Sequence, residues 1–506
     1  MNSKLPRVVV IGHIVPTPYS VIPTAMERWG YNYNRVLLED GSMVDHLAYL
    51  KKHLGIPREI DFTVWEMYLS GGLALKSHLK RAGVDVKLVN HIDENNEGRI
   101  FEDIRSFAPD IVCLGTTFLL SPAQLNYAAR LVRKHLPEVF MVAGGHHVYT
   151  ALLRMNESQQ RAYLKATPLN AFVNDSQGED TLLRFIQAFR GKPDEIPNLI
   201  MKRPGGEIIV TERLMEHNDL NVPIDLCDIP EGSVIHLRTG RGCSFRCAFC
   251  SYPSTAGNRE IMEIENVIGM LGKAKDAGVR SVIFSDDTFN VPQERFELLL
   301  DKMIETGFTL PWYSFLRCQF VDAPLVDKMR RSGCRGVFLG IESAADAILE
   351  NIGKNATVKH FRQGIKWLKD AGIATVGSFV IGFPGETQET LDLTEDFIQN
   401  SGLDYYFMQL FYYLHHTPVH HHAEKYSLKG NGLLWSHSTM DWKEASARMN
   451  QIFLHSKTLA VHQDYNLWEI ALLESKGFDR AQIADYRGMI NRMTAEQMSI
   501  PIFGFI

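Results

Sequence analysis

Short β-branched runs that end near glycine recur along this chain of 506 residues, with helix-like stretches between them. Strands that alternate with helices build mostly parallel sheets, covered on both faces. In the first half the strand-like runs are Arg7–Gly12, Asp85–Asn90, Asp110–Gly115, Val139–Gly145 and Ala171–Asp175. Helical patterns lie near Gly72–Ala82, Ile100–Phe107, Pro122–His135 and Glu179–Arg190. The expected fold class is α/β, opening with a doubly wound, Rossmann-like domain over residues 1–195. Ligands bind such sheets at the carboxyl ends of strands. The loops in question are Thr116-Thr117-Phe118 and Gly144-Gly145-His146-His147. Neither is a GxGxxG fingerprint, which disfavours a dinucleotide. By itself, a glycine pair after a strand is equally what a tight turn requires.

The stretch 13–69 is too long for a compact crossover and carries Tyr19, Trp29, Tyr31, Tyr33, Tyr49, Trp65 and Tyr68. It is expected to pack as an inserted helical subdomain of the first domain. Residues 196–233 read as a hairpin turning at Pro204-Gly205-Gly206, followed by an Asp-, Asn- and Pro-rich linker. In the second half the runs are Ile235–Thr239, Ser281–Ser285, Trp312–Leu316, Gly336–Gly340, Val376–Phe383 and Tyr405–Tyr413. They predict six β/α units over residues 234–415, then a mainly helical region over 416–506.

Directly after the first of these strands comes Cys243-Ser-Phe-Arg-Cys247-Ala-Phe-Cys250. Three thiolates at this spacing can hold three irons of a [4Fe–4S] cubane, leaving the fourth iron open. A structural zinc knuckle is the alternative, but zinc takes four ligands from close pairs and no second pair follows. Cys113, Cys227, Cys318 and Cys334 are scattered and read as ordinary buried thiols. Seven cysteines in so long a chain are no disulfide framework. The net charge of −6 argues against a nucleic-acid partner. No signal peptide and no apolar run of membrane-spanning length is apparent. A reducing cytoplasm is the expected location.

With its flanks Arg241-Gly242 and Ser251-Tyr252-Pro253, the cysteine motif resembles the radical SAM superfamily, whose open iron chelates S-adenosylmethionine (SAM). The six β/α units resemble that family's incomplete barrel. The resemblance implies that Ser285-Asp286-Asp287 receives the SAM amino group, in place of the usual Gly-Gly-Glu; a helix N-cap is the plainer alternative. Arg317 would pair with the SAM carboxylate, unless it is only a barrel-rim arginine. Glu342 and Ser343 would hold the ribose. Gly382, within Gly377-Ser-Phe-Val-Ile-Gly-Phe-Pro-Gly-Glu386, would let backbone approach the cofactor closely.

The first half resembles the cobalamin-binding domain that precedes many radical SAM domains. Gly71 and Gly72 match its early glycine-leucine turn. Thr116 and Thr117, then Gly144, Gly145 and His146, match its two later loops, and Gly178 its Gly-Glu pair before a helix. The DxHxxG signature is absent, which implies a cobalamin without a histidine lower ligand; domains that have lost the cofactor also exist.

Taken together, the resemblance implies a cobalamin-dependent radical SAM methyltransferase. It would move a methyl group from SAM, via methylcobalamin, to an unactivated carbon or phosphorus of a small-molecule or natural-product substrate. A flavodoxin or ferredoxin would supply electrons. Non-methylating ring formation, as in oxidative cyclases, remains open. A sensing module is disfavoured by the array of motifs at strand ends. No catalytic residue is singled out. The run His415-His416-Thr-Pro-Val-His420-His421-His422 lacks a metal-site spacing and reads as a substrate-contacting loop.

Overall fold

The computed structural model describes residues 5–15, 35–38, 43–119, 121–203, 205–257, 259–461 and 466–498. The chain divides into two compact units: residues 1–27, 57–61 and 65–228, and residues 28–56, 62–64 and 229–506. Among the described residues no helix is long and apolar enough to cross a membrane.

The sheet of the first unit has seven strands: β1 (Val8–Ile14), β2 (Val86–Ile92), β3 (Ile111–Gly115), β4 (Phe140–Gly144), β5 (Ala171–Val173), β6 (Leu199–Lys202) and β7 (Ile208–Val210). Their spatial order is β2-β1-β3-β4-β5-β6-β7. The first five run parallel, and β6 and β7 append the predicted hairpin in antiparallel pairing. Val8 and Val10 pack in one buried cluster with Leu79 and Phe185, while Val9 and Ile11 pack in a second with Phe101 and Leu125. Both faces are therefore covered, which is why β1 reads as a continuous apolar run rather than an alternating one. The order reverses between β1 and β3, where a doubly wound sheet opens its ligand crevice.

The second unit has seven parallel strands in sequence order: β8 (Val234–Leu237), β9 (Ser281–Phe284), β10 (Trp312–Leu316), β11 (Cys334–Glu342), β12 (Ala374–Ile381), β13 (Tyr405–Leu410) and β14 (Leu459–Ala460). Helices fill the crossovers. Val358–Asp370 shows the logic: Phe361, Gly364, Ile365 and Leu368 form its buried stripe, and Thr357 closes a capping box with His360. The six expected strands are joined by β14, two residues long and without a pattern that sequence can reveal.

Two parts of the expected layout change. Residues 28–56 belong to the second unit, so the stretch 13–69 is not one insertion of the first. The reason is a buried polar anchor. His46 Nδ1 lies 2.5 Å from the Tyr486 hydroxyl, and Glu469 beside it pairs with Arg487 at 3.3 Å. Of the aromatic residues in that stretch, Tyr19, Trp29, Tyr31 and Tyr33 lie outside the described residues.

The region 416–506 is also not uniformly at the site. Helix Asn466–Ser475 packs at the amino ends of the strands, away from the cysteine loop. Leu467 meets Gly336, Trp468 meets the His236 ring edge-on at 4.6 Å, and the Tyr313 hydroxyl donates to Glu474 at 2.5 Å. Among the described residues of this region, Val419, at the cysteine loop, and Trp435, at Gly382, reach the carboxyl ends of the strands.

Candidate active site

The cysteine loop leaves β8 and is pinned along its length. Thr239 donates to Asp286 through N–H and Oγ1, each at 2.6 Å. Gly240–Arg241 pairs antiparallel with Glu260–Ile261, and Arg241 adds an ion pair to Glu260 at 2.8 Å. Within the motif, Ala248 N–H donates to Ile352 O at 2.7 Å, and Val419 N–H donates to Ala248 O at 2.8 Å.

Cys243, Cys247 and Cys250 are all free thiols; Cys247 is buried and the other two half-buried. Among the described residues no three or more His, Cys, Asp or Glu groups converge tightly enough to hold a single metal ion. Three cysteines on one pinned loop, with no second close cysteine pair in the sequence, suit the three-cysteine ligation of a cubane. A cubane spreads its ligands over separate irons. Burial pushes the Cys243 thiol up and the Cys250 thiol up to about 11. A coordinating metal deprotonates such thiols outright.

The residues expected to hold SAM divide. Asp286 is buried and accepts from Thr239 N–H and Oγ1, so it ties the start of the cysteine loop to the end of β9. Ser285 Oγ donates to Leu237 O at 3.2 Å. Asp287 accepts from the Tyr252 hydroxyl, and its charge acts on Cys243 and Cys250. Glu342 ends β11 with φ of 71°, and its carboxylate makes a buried ion pair with Lys354 Nζ at 2.7 Å. Ser343 Oγ accepts from Ala345 N–H at 3.3 Å and stands against the Glu386 carboxyl. Gly382 does allow a close approach, but by another body. At φ 86° it leaves space for the Trp435 ring, which lies 2.3 Å from where a Cβ would stand. Trp435 is held there by donating from Nε1 to Phe411 O at 2.7 Å.

Arg317 follows β10. Its backbone is clamped by Asn290, which accepts from Arg317 N–H at 3.0 Å and donates to Arg317 O at 2.9 Å. Its guanidinium lies 3.5 Å from the centre of the Phe245 ring, with Nη2 3.4 Å from Cys247 Sγ. Three residues were not legible as parts of this site: Asn290, Lys354 and Glu386. For Glu386 the strand motif that contains it was the available signal. Burial pushes its carboxyl up to about 8, even though Gly382 N–H donates to it at 2.6 Å. Lys354 sits in a turn after a helix, where nothing in sequence names its partner. The histidine run is used locally: His420 meets the Tyr413 hydroxyl at 2.6 Å and His415 the Gly430 carbonyl at 2.9 Å.

At the carboxyl ends of the first sheet, most expected contacts are occupied by the protein itself. Thr116 Oγ1 donates to Gly144 O at 2.9 Å and accepts from Val148 N–H at 3.3 Å. A Cβ at Gly145 would press on Thr116 and Thr117, and one at Gly178 would strike Val173 at 2.7 Å. Gly144 likewise faces Val173. Gly71 and Gly72 lie in the first turn of helix Ser70–Arg81 and not in a glycine turn; Gly72 makes room for Leu88. Thr117 and His146 are exposed, and a Cβ at Gly71 would meet open space. One feature escaped sequence reasoning. His13, near the end of β1, packs on Trp65 at 4.1 Å with the rings tilted by 35° and meets Phe118 edge-on at 6.0 Å, across the switch point from β3. It is buried, and its Nδ1 has no hydrogen-bond partner among the described residues.

The radical SAM superfamily model matches residues 237–398. An uncharacterized methyltransferase of Pyrococcus horikoshii is 31% identical over 353 residues, covering 66% of this chain and 74% of that protein. The anaerobic magnesium-protoporphyrin IX monomethyl ester cyclase of Rubrivivax gelatinosus is 25% identical, over 65% of this chain and 60% of its own length. The fold is that of the radical SAM methyltransferase TsrM of Kitasatospora setae, solved with cobalamin and a [4Fe–4S] cluster bound. That match has a TM-score of 0.59 and 15% identity, and covers 97% of this chain and 100% of the other. The chain belongs to the radical SAM superfamily and is an enzyme; its radical SAM domain implies a [4Fe–4S] cluster and SAM.

Proposed function

We propose that this enzyme is a cobalamin-dependent radical SAM methyltransferase acting on an unactivated carbon or phosphorus of a small molecule. The observation that carries this reading is the end-to-end match to TsrM, which spans both units. The residues of the first unit fit a corrinoid. A buried imidazole nitrogen of His13 without a hydrogen-bond partner among the described residues stands at the switch point, against Phe118, and Thr117 and His146 on the two following loops are exposed; a buried polar atom left unpaired costs about 1–3 kcal/mol.

In this reading Cys243, Cys247 and Cys250 hold the cluster. Asp287, Glu342 and Ser343, at the ends of β9 and β11, orient SAM. Thr117, His146 and the His13–Phe118 pair face the corrinoid. When bound, the cluster with SAM supplies a carbon-centred radical and the corrinoid a transferable methyl group. The chain's own contribution is to fix the cysteine loop, through Asp286 and the Ile352–Ala248–Val419 contacts, and to bury its polar neighbours away from water. A one-electron donor of the flavodoxin or ferredoxin kind and a cytoplasmic setting belong to the same proposal. The likeness to the Rubrivivax cyclase supports a second reading, in which ring formation replaces methyl transfer.

The test is anaerobic purification with iron, sulfide and hydroxocobalamin, followed by SAM turnover under a strong reductant. Bound corrinoid with both 5′-deoxyadenosine and S-adenosylhomocysteine is the expected result. Corrinoid with 5′-deoxyadenosine alone would favour the cyclase-like reading. A cluster without corrinoid would overturn methyl transfer by cobalt and leave the first unit as a scaffold.

A further inference from the structure

The position of Arg317 departs from what a SAM-carboxylate ligand would show. The guanidinium is buried, its Cζ 3.5 Å from the centre of the Phe245 ring, and Phe245 is two residues from both Cys243 and Cys247. Its Nη2 is 3.4 Å from Cys247 Sγ, and its Nη1 donates to Lys354 O at 3.3 Å. Among the described residues no carboxylate stands within ion-pair distance of it. The nearby Glu342 is already paired with Lys354. A buried cation needs an opposite charge, and among the described residues the anionic group at hydrogen-bond distance is the sulfur of Cys247 once that cysteine is a thiolate.

We infer that Arg317 is a positioning residue for the cluster, which donates to the Cys247 thiolate and raises the reduction potential of the [4Fe–4S] centre. The physical basis is charge. One-electron reduction adds negative charge to an already anionic assembly of iron, sulfide and three thiolates. A fixed cation against one ligand sulfur stabilises the reduced form more than the oxidised form. Hydrogen bonds to cluster sulfurs and burial are among the levers that set such potentials. The stack on Phe245 and the Asn290 clamp hold the guanidinium in place, so the contribution is built into the fold and does not depend on SAM. The electron comes from an external one-electron donor, and no proton moves.

This inference rests on the three cysteines holding the cluster. The experiment is a dithionite-mediated redox titration of the reconstituted, SAM-free enzyme, followed by the EPR signal of the reduced cluster. Wild type is compared with Arg317→Met and Arg317→Lys, with iron and sulfide determined for each. Arg317→Met, which keeps the stem and removes the charge, is expected to shift the midpoint to a more negative potential at unchanged iron content. Arg317→Lys is expected to fall between the two. An unchanged midpoint in either variant with an intact cluster overturns the inference. So does a loss of SAM binding with no shift of potential, which would return Arg317 to the SAM carboxylate. If Arg317→Met fails to assemble the cluster, the Arg317→Lys midpoint decides alone. A wild-type protein without iron or sulfide would instead overturn the cluster assignment itself.

Discussion

At the carboxyl ends of the first sheet the candidate residues are glycines and hydroxyls tied into backbone, whereas at those of the second they are buried charges. Thr116 links Gly144 O to Val148 N–H, and Gly145 and Gly178 give room to neighbouring residues. In the second unit Asp286 holds Thr239, Lys354 pairs with Glu342, Arg317 lies against Cys247, and Glu386 is buried beneath Gly382. The first edge is stiffened by local contacts that are individually modest. The second is held by groups that are each costly to leave unpaired. Substitutions should accordingly have small, separable effects at the first edge and large, coupled effects at the second.

The sharpest break is at the cysteines. Replacing Cys243, Cys247 and Cys250 together with Ala should abolish the cluster's visible absorbance and all SAM cleavage. Retention of either in the anaerobic reconstituted protein would remove the basis for the second edge. Next comes Glu342→Ala, which leaves Lys354 as a buried, uncompensated cation. Unfolding in denaturant should show a loss of about 3–5 kcal/mol, the range for breaking a buried pair. Adding Lys354→Met should recover most of it, and failure to recover would mean that Glu342 stabilises through other contacts.

Glu386 gives a pH signature. Its folded carboxyl titrates near about 8 against an ordinary value of 4.5, raised by burial. Its contribution to stability is present below the unfolded value and is lost as pH rises through the folded one, since only the unfolded state ionises easily there. Between about pH 5 and pH 8 stability should fall by roughly 1 kcal/mol per pH unit from this group. Glu386→Gln should flatten that slope in unfolding measured across the range. An unaltered slope would mean that the carboxyl is already ionised in the fold. The smallest effect is expected at the first edge. Thr116→Val removes one hydroxyl that bridges two backbone groups, and thermal unfolding should register about 1–2 kcal/mol. A loss as large as that of Glu342→Ala would erase the contrast between the two edges.

Much of the architecture was legible. Pro122–His135 and Trp312–Leu316 appear with the limits their patterns predict, because apolar period, a Ser121 cap and flanking turns agree there. The hairpin of β6 and β7 follows from its glycine turn. What escaped reading was of two kinds. β14 is too short to carry a period, and its place is set by pairing with Tyr405 and Tyr406. Residues 28–56 were assigned by proximity in sequence, but a buried polar network with Glu469, Tyr486 and Arg487 draws the described part to the second unit.

For the site itself, the chain's local chemistry was written in its residues. A CxxxCxxC loop after a strand carries its own ligand geometry, since close spacing leaves little for the rest of the fold to choose. Which polar groups around it face a cofactor and which serve the protein depends on partners distant in sequence. Asp286 is taken by Thr239, Glu342 by Lys354, and the space at Gly382 by Trp435. Sequence determines where a strand ends and what chemistry is placed there. Only packing in three dimensions decides whether a buried charge or a bare glycine is already matched, because that depends on which distant segment comes within a few ångströms of it.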